Sequence, residues 1–137
     1  MMRNLILTTA IALVSTTVLS DDVTGTSRLL CSQGQVMVCL HTADCAIVAP
    51  ALVASPQFVV IDTRRKIVST TKASGDGRSS EIGNLTREGG LIMAQGKHDE
   101  RVFSFVIDEA TGTFTGSVAS DGYTINSFGF CTNAEVK

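Results

Sequence analysis

The chain offers few residues that could do chemistry. Histidine is scarce, with two in 137 residues. His41 stands beside Cys39 and close to Asp44 and Cys45, a grouping that invites a metal site or a thiol nucleophile. That ligand set is too small for a structural zinc site, and oxidised cysteines cannot ligate. A strand-end histidine beside a disulfide is the expected role. His98 lies between Lys97 and the acidic pair Asp99-Glu100. A general base must reach the proton it removes, and no nucleophile can be named beside His98 along the chain, so a solvated turn is expected. The serines lack a G-x-S-x-G elbow or an S-x-x-K pair. Gly75-Asp76-Gly77 is too short for a phosphate loop and lacks the lysine and following helix that such a loop needs.

The carboxylates Asp62, Asp108 and Glu109 could suggest an acid–base pair, but Asp62 and Asp108 each end a strand-like run, where turn hydrogen bonding explains them more simply. Arg64-Arg65-Lys66 forms a basic tip that could contact an acidic partner; charge at such a tip also protects a hairpin from aggregation. Asn84-Leu85-Thr86 matches a glycosylation sequon. No catalytic residue, metal ligand or cofactor-binding residue is assigned, and no cofactor is expected. An enzyme is not the expected class.

The elements that hold these residues follow from export and patterning. Arg3 precedes a mainly apolar stretch from Leu5 to Leu19, and Val18 and Ser20 are small enough for the −3 and −1 positions of a signal peptidase site. The run is short for a membrane span of about 20 residues. Residues 1–20 are therefore expected to be a cleaved signal peptide and 21–137 a single β domain. Removal of the first 20 leaves 117 of the 137 residues, enough for one modest core. The formal charge moves from −2 to −3 with the loss of Arg3, leaving ten Lys and Arg against 13 Asp and Glu. That balance disfavours nucleic acid and anionic membranes as general partners, since both call for a basic face. No later run is long and apolar enough to span a bilayer as a helix.

All four cysteines, 31, 39, 45 and 131, lie in the expected mature part. An even count in an exported chain reads as a disulfide framework. Three connectivities are open. The favoured one joins Cys39 to Cys45 across a local loop and Cys31 to Cys131, first strand to last. Chain-entropy arithmetic makes the long bridge worth about 4–5 kcal/mol and the short one less.

From Arg101 to Val118 the pattern is clearest. Phe103, Phe105 and Ile107 alternate with Val102, Ser104 and Val106; Phe114, Gly116 and Val118 alternate with Thr113, Thr115 and Ser117. Period-2 runs of aromatic and β-branched residues are strands, and Asp108 to Gly112 is their turn. Gly112 is placed to take the left-handed conformation. Further strands are expected at 35–41, 57–62, 66–72, 91–95 and 123–131; 79–85 is a weak strand, and 28–33 could be a first one. Turns are expected at 74–77, 88–90, 96–100 and 120–122, with a mobile polar segment over 21–27. Residues 46–55 could be a kinked strand or a short helical turn around Pro50. A change of apolar face between Ile125 and Phe128 suggests a bulge near Asn126. The sum is an all-β chain: a small antiparallel meander barrel or sandwich of seven to eight strands, stapled by disulfides.

PQFVVID, FSFVIDEATG and FGFCTN, behind a signal peptide and an early C-x7-C-x5-C cluster, resemble small uncharacterised exported β-barrel proteins of Gram-negative bacteria. The resemblance covers most of 31–133 and implies a periplasmic or secreted barrel of six to eight strands. It brings no established activity and no catalytic residue. A fainter likeness in size and architecture is to exported barrel-type inhibitors of lysozymes and proteases, at the level of fold only. The expected function is a non-enzymatic barrel binding a protein partner or a small ligand. A hydrolase inhibitor and an envelope-assembly protein are the alternatives. The export reading has a direct test: N-terminal sequencing of the secreted protein should start at Asp21, and an intact Met1 in the soluble fraction would refute it.

Overall fold

A computed structural model describes residues 21–74 and 77–135. The expected signal peptide, the Gly75-Asp76 part of one expected turn and the last two residues lie outside the described residues. Among the described residues there are nine strands: β1 (Arg28–Leu40), β2 (Ala43–Val48), β3 (Phe58–Asp62), β4 (Ile67–Thr70), β5 (Ser79–Glu88), β6 (Leu91–His98), β7 (Arg101–Asp108), β8 (Thr113–Ser120) and β9 (Tyr123–Asn133). All pairings are antiparallel. The order is β2-β1-β3-β4-β5-β6-β7-β8-β9, and β1 also pairs with β9. Eight strands thus close a barrel, and β2 is the extra ninth.

Closure depends on β1. Its 13 residues pair along one edge with β9, from Leu29↔Asn133 to Leu40↔Tyr123. Its other edge is shared, with Arg28 to Ser32 pairing with β3 and Val36 to Leu40 pairing with β2. The two strands expected at 28–33 and 35–41 are therefore one. The register shifts between Gln33 and Gln35, so the bulge lies at Gly34 in β1. It is not near Asn126, as the pattern had suggested. β9 alternates without interruption, with Ile125, Ser127 and Cys131 buried and Phe128 and Phe130 pointing outward. Gly129 faces this bulge, and a Cβ there would lie 1.7 Å from the Ser32 carbonyl oxygen, so no larger residue fits the seam.

Cys31 and Cys131 are direct partners across the seam and are joined by a disulfide; Cys39 and Cys45 form a second one across the β1–β2 hairpin. After β2 the chain makes a 3₁₀ turn over Pro50–Val53 with Pro50 at its start, and Ala54 ends it in the left-handed region at φ 51°. Both readings left open for 46–55 are thus present in succession, a strand end and then a short turn. A proline loses no hydrogen bond at such a start.

The interior is graded. At one end Leu29, Ile61, Ile92, Ile107, Phe114 and the Cys31–Cys131 bridge pack at essentially zero exposure. The N-terminal segment 21–27, expected to be mobile, closes this end. Val23 is fully buried, its N–H donates to the Glu109 carbonyl (2.8 Å), and Arg87 donates to the Thr26 carbonyl (2.6 Å). Glu135 accepts from the Ser27 N–H at 2.9 Å and from its hydroxyl. These bonds, with Arg64 nearby, hold its carboxyl below the ordinary carboxylate range. Phe105 stacks on Phe103 (5.0 Å) and meets Phe114 at a tilt (5.3 Å), and beyond Phe103 the barrel opens.

Two stability measurements follow. Phe114→Ala should cost about 3–5 kcal/mol, the range for a closely packed aromatic side chain, whereas outward-facing Thr115→Ala should cost under about 1 kcal/mol. Equal losses in chemical denaturation would contradict the register. Mild reduction of the native protein should expose Cys39 and Cys45 to alkylation before the buried Cys31 and Cys131; simultaneous labelling in a peptide map would contradict the graded burial.

Candidate functional site

The open end is built by strand register. Phe103 pairs with Val118 and Val118 with Ile125, so three apolar side chains form one row across β7, β8 and β9. One level nearer the mouth, His98 and Arg101 are direct partners on β6 and β7. Ile82 pairs with Gly96, which carries Ser80, two residues along β5, to the level of His98. The result is a hollow of about 110 Å³ with an apolar floor of Phe103, Phe105, Val59 and Val68. Polar groups from Gln33, Ser80, Arg78, His98, Arg101 and Ser127 ring it. An engineered cavity of about 150 Å³ holds benzene, so the space within this open-mouthed hollow suits a small apolar group.

The lip is fixed by Gln33, a buried polar residue with both ends of its amide engaged. Its Nε2 donates to the Pro56 carbonyl (2.8 Å) and its Oε1 accepts from Ser55 Oγ (3.0 Å). This holds the crossing from β2 to β3 over the mouth. On the far side of Ala54-Ser55-Pro56 lies a wider depression of about 550 Å³, reached past Gln33 and Arg78, which border both spaces. Arg78 donates to the Ala54 carbonyl (3.1 Å), so its guanidinium also braces the lip. The Arg101 guanidinium lies 5.9 Å from the centre of the Tyr123 ring, a cation–π arrangement that holds the charge at the rim.

His98 is not in a solvated turn. Lys97 and His98 end β6, and only Asp99 and Glu100 make the turn, Asp99 at φ 52°. The ring Nδ1 is 2.7 Å from Ser80 Oγ, and Nε2 is 3.5 Å from the Asp99 carboxylate. With the proton on Nε2, toward Asp99, Nδ1 accepts from the Ser80 hydroxyl, the arrangement in which an imidazole can act as base toward a serine. Asp99, however, is 86% exposed, so water screens its hold on the ring.

The other residues singled out from sequence lie elsewhere. Arg64, Arg65 and Lys66 are at the β3–β4 tip, at the closed end and away from the hollow. There Arg65 N–H donates to Asp62 Oδ1 (2.8 Å), and Arg64 lies 3.9 Å from the Glu135 carboxylate. Asp62 and Asp108 perform turn duty, Asp108 accepting from Thr111 N–H at 2.9 Å. Glu109 does not: it is 7% exposed, 3.3 Å from the Arg87 guanidinium, and anchors the plug at the closed end. His41 is exposed, with Nδ1 3.4 Å from the Gly122 carbonyl, next to a disulfide rather than to free thiols. Among the described residues no three metal-ligating side chains converge, and no helix is long and apolar enough to cross a membrane.

Reasoning from sequence missed Ser80 and Arg101 as neighbours of His98, and Arg78 and Gln33 as further residues lining the same hollow. Alternation with Ile82 carried a signal for Ser80 facing inward, but its cross-strand partner was not readable. No protein-family model matches the chain, and no curated protein or solved structure does so either.

Proposed function

We propose that this protein is an exported, non-enzymatic β-barrel that takes up a small ligand through the open end of its barrel. The observation that carries this reading is the hollow itself, at the end of the interior where Phe103, Val118 and Ile125 line open space. Small-molecule sites are concave, mainly apolar, ringed by a few placed polar groups, and often lie in barrel mouths. Two disulfides suit an oxidising compartment such as the periplasm. Inhibition of a secreted hydrolase would call for a protruding element that enters an active site, and envelope assembly for an edge or face that docks a partner; the hollow serves neither.

A second reading, an acyl-transfer enzyme with Ser80 as nucleophile, is favoured by the 2.7 Å Ser80–His98 contact. Binding and turnover separate the two. Toluene titrated into the native protein should give saturable NMR shifts at the methyls of Val118 and Ile125. Val118→Phe, which fills the hollow, should weaken that binding about tenfold or more without unfolding the barrel. Ser80→Ala should change it by less than about threefold, since it removes one hydroxyl from the rim. Absence of any saturable shift would sink the ligand reading, and a Ser80-dependent burst with p-nitrophenyl esters would establish the enzyme instead.

A further inference from the structure

The lining of the hollow is one-sided in charge. Among the described residues, two arginines, Arg78 and Arg101, border it together with the imidazole of His98, and no aspartate or glutamate does. Asp99, 3.5 Å from His98 Nε2, is 86% exposed. This local excess of positive groups occurs in a chain whose formal charge is −2, so it is not a reflection of overall composition. The charge is also ordered along the barrel axis. Arg101 lies two residues beyond Phe103 on the same inward face of β7, a rise of about 7 Å at strand spacing. A molecule entering the mouth therefore meets donors and positive charge at the rim and aromatic rings below.

We infer that the ligand is a small organic anion, with a short alkyl or single-ring body in the hollow and a carboxylate-type head at the rim beside Arg101 and His98. The inference rests on the ligand-binding reading given above. Arg101 is suited to the head because a guanidinium presents a fork of donors matching a carboxylate, and its place over Tyr123 limits the freedom lost on binding. The Ser80 hydroxyl and His98, locked to each other, offer a second polar contact on the adjacent wall. An amine head would meet like charge there, and an alcohol would leave the guanidinium without an anionic partner. The volume of about 110 Å³ within the hollow leaves room for a short chain or one ring, and a long acyl chain would extend out through the mouth.

The test uses one body with three heads: hexanoate, 1-hexanol and hexylamine, titrated into the purified full-length mature protein by calorimetry at constant ionic strength. Hexanoate should bind at least about tenfold tighter than hexanol, as expected for hydrogen bonds to a charged group, and hexylamine weakest of the three. Arg101→Gln should bring hexanoate down to the hexanol level while leaving hexanol and the melting temperature unchanged. Val118→Phe should weaken hexanoate and hexanol alike. Equal affinity for the three heads, or an Arg101→Gln loss shared by hexanol, would overturn the anion assignment while leaving the hollow as a ligand site. No binding of any of the three, together with no binding of toluene, would overturn both.

Discussion

A sheet becomes a barrel only when its first and last strands pair, and every other feature of this molecule depends on that seam. β1 and β9 meet over their full lengths, with Cys31 opposite Cys131 and covalently joined. Closure removes the edges that an open sheet would present. It also demands a bend in β1, because the lower half of that strand must pair with β3 and the upper half with β2. The Gly34 bulge supplies the bend, and Gly129 opposite it leaves room for the two backbones to approach.

The bend in turn shapes the two ends differently. Below it, both edges of β1 are occupied by barrel strands, and the side chains from all sides interdigitate down to the Val23 plug and the Arg87–Glu109 pair. Above it, β1 diverges to pair with β2, and the chain must cross from β2 back to β3 over the mouth. Among the described residues the interior there has no equivalent of the plug. The crossing is held at the lip by hydrogen bonds from Gln33 and Arg78 rather than by apolar packing. A buried amide with each end paired is directional in a way that apolar contact is not, so the lip keeps its place without filling the space beneath it. The hollow is thus a consequence of how the seam is made.

The same geometry separates the polar chemistry of the molecule into two jobs. At the closed end, charged groups are consumed by structure: Glu109 holds the N-terminal segment and Glu135 clasps Ser27. At the open end, Arg101 and His98 face the hollow from adjacent strands.

Much of the architecture was legible in the residues. Period-2 alternation assigned Phe103, Phe105, Ile107 and Phe114 to the inside and Thr115 to the outside, because a strand can bury only alternate side chains. The cysteine positions, one pair flanking a short loop and one at the two ends of the domain, pointed to the connectivity that the fold displays. What local pattern could not supply was everything set by long-range register. The bulge was sought at Asn126 because Phe128 breaks the apolar rhythm, yet Phe128 simply faces outward, and it is the closing of the barrel that puts the irregularity at Gly34. Residues 21–27 looked mobile because they are polar, but Val23 among them finds a buried seat that exists only once the barrel has formed. His98 looked solvated because its sequence neighbours are charged, while its spatial neighbours, Ser80 and Arg101, come from other strands. Sequence alone determined most of the strands and, in the β7–β8 hairpin, which face each presents, since those depend on neighbours one or two residues away. Which strand faces which, and hence the hollow and the charges around it, was decided only by the tertiary structure, since pairing joins residues from distant parts of the chain.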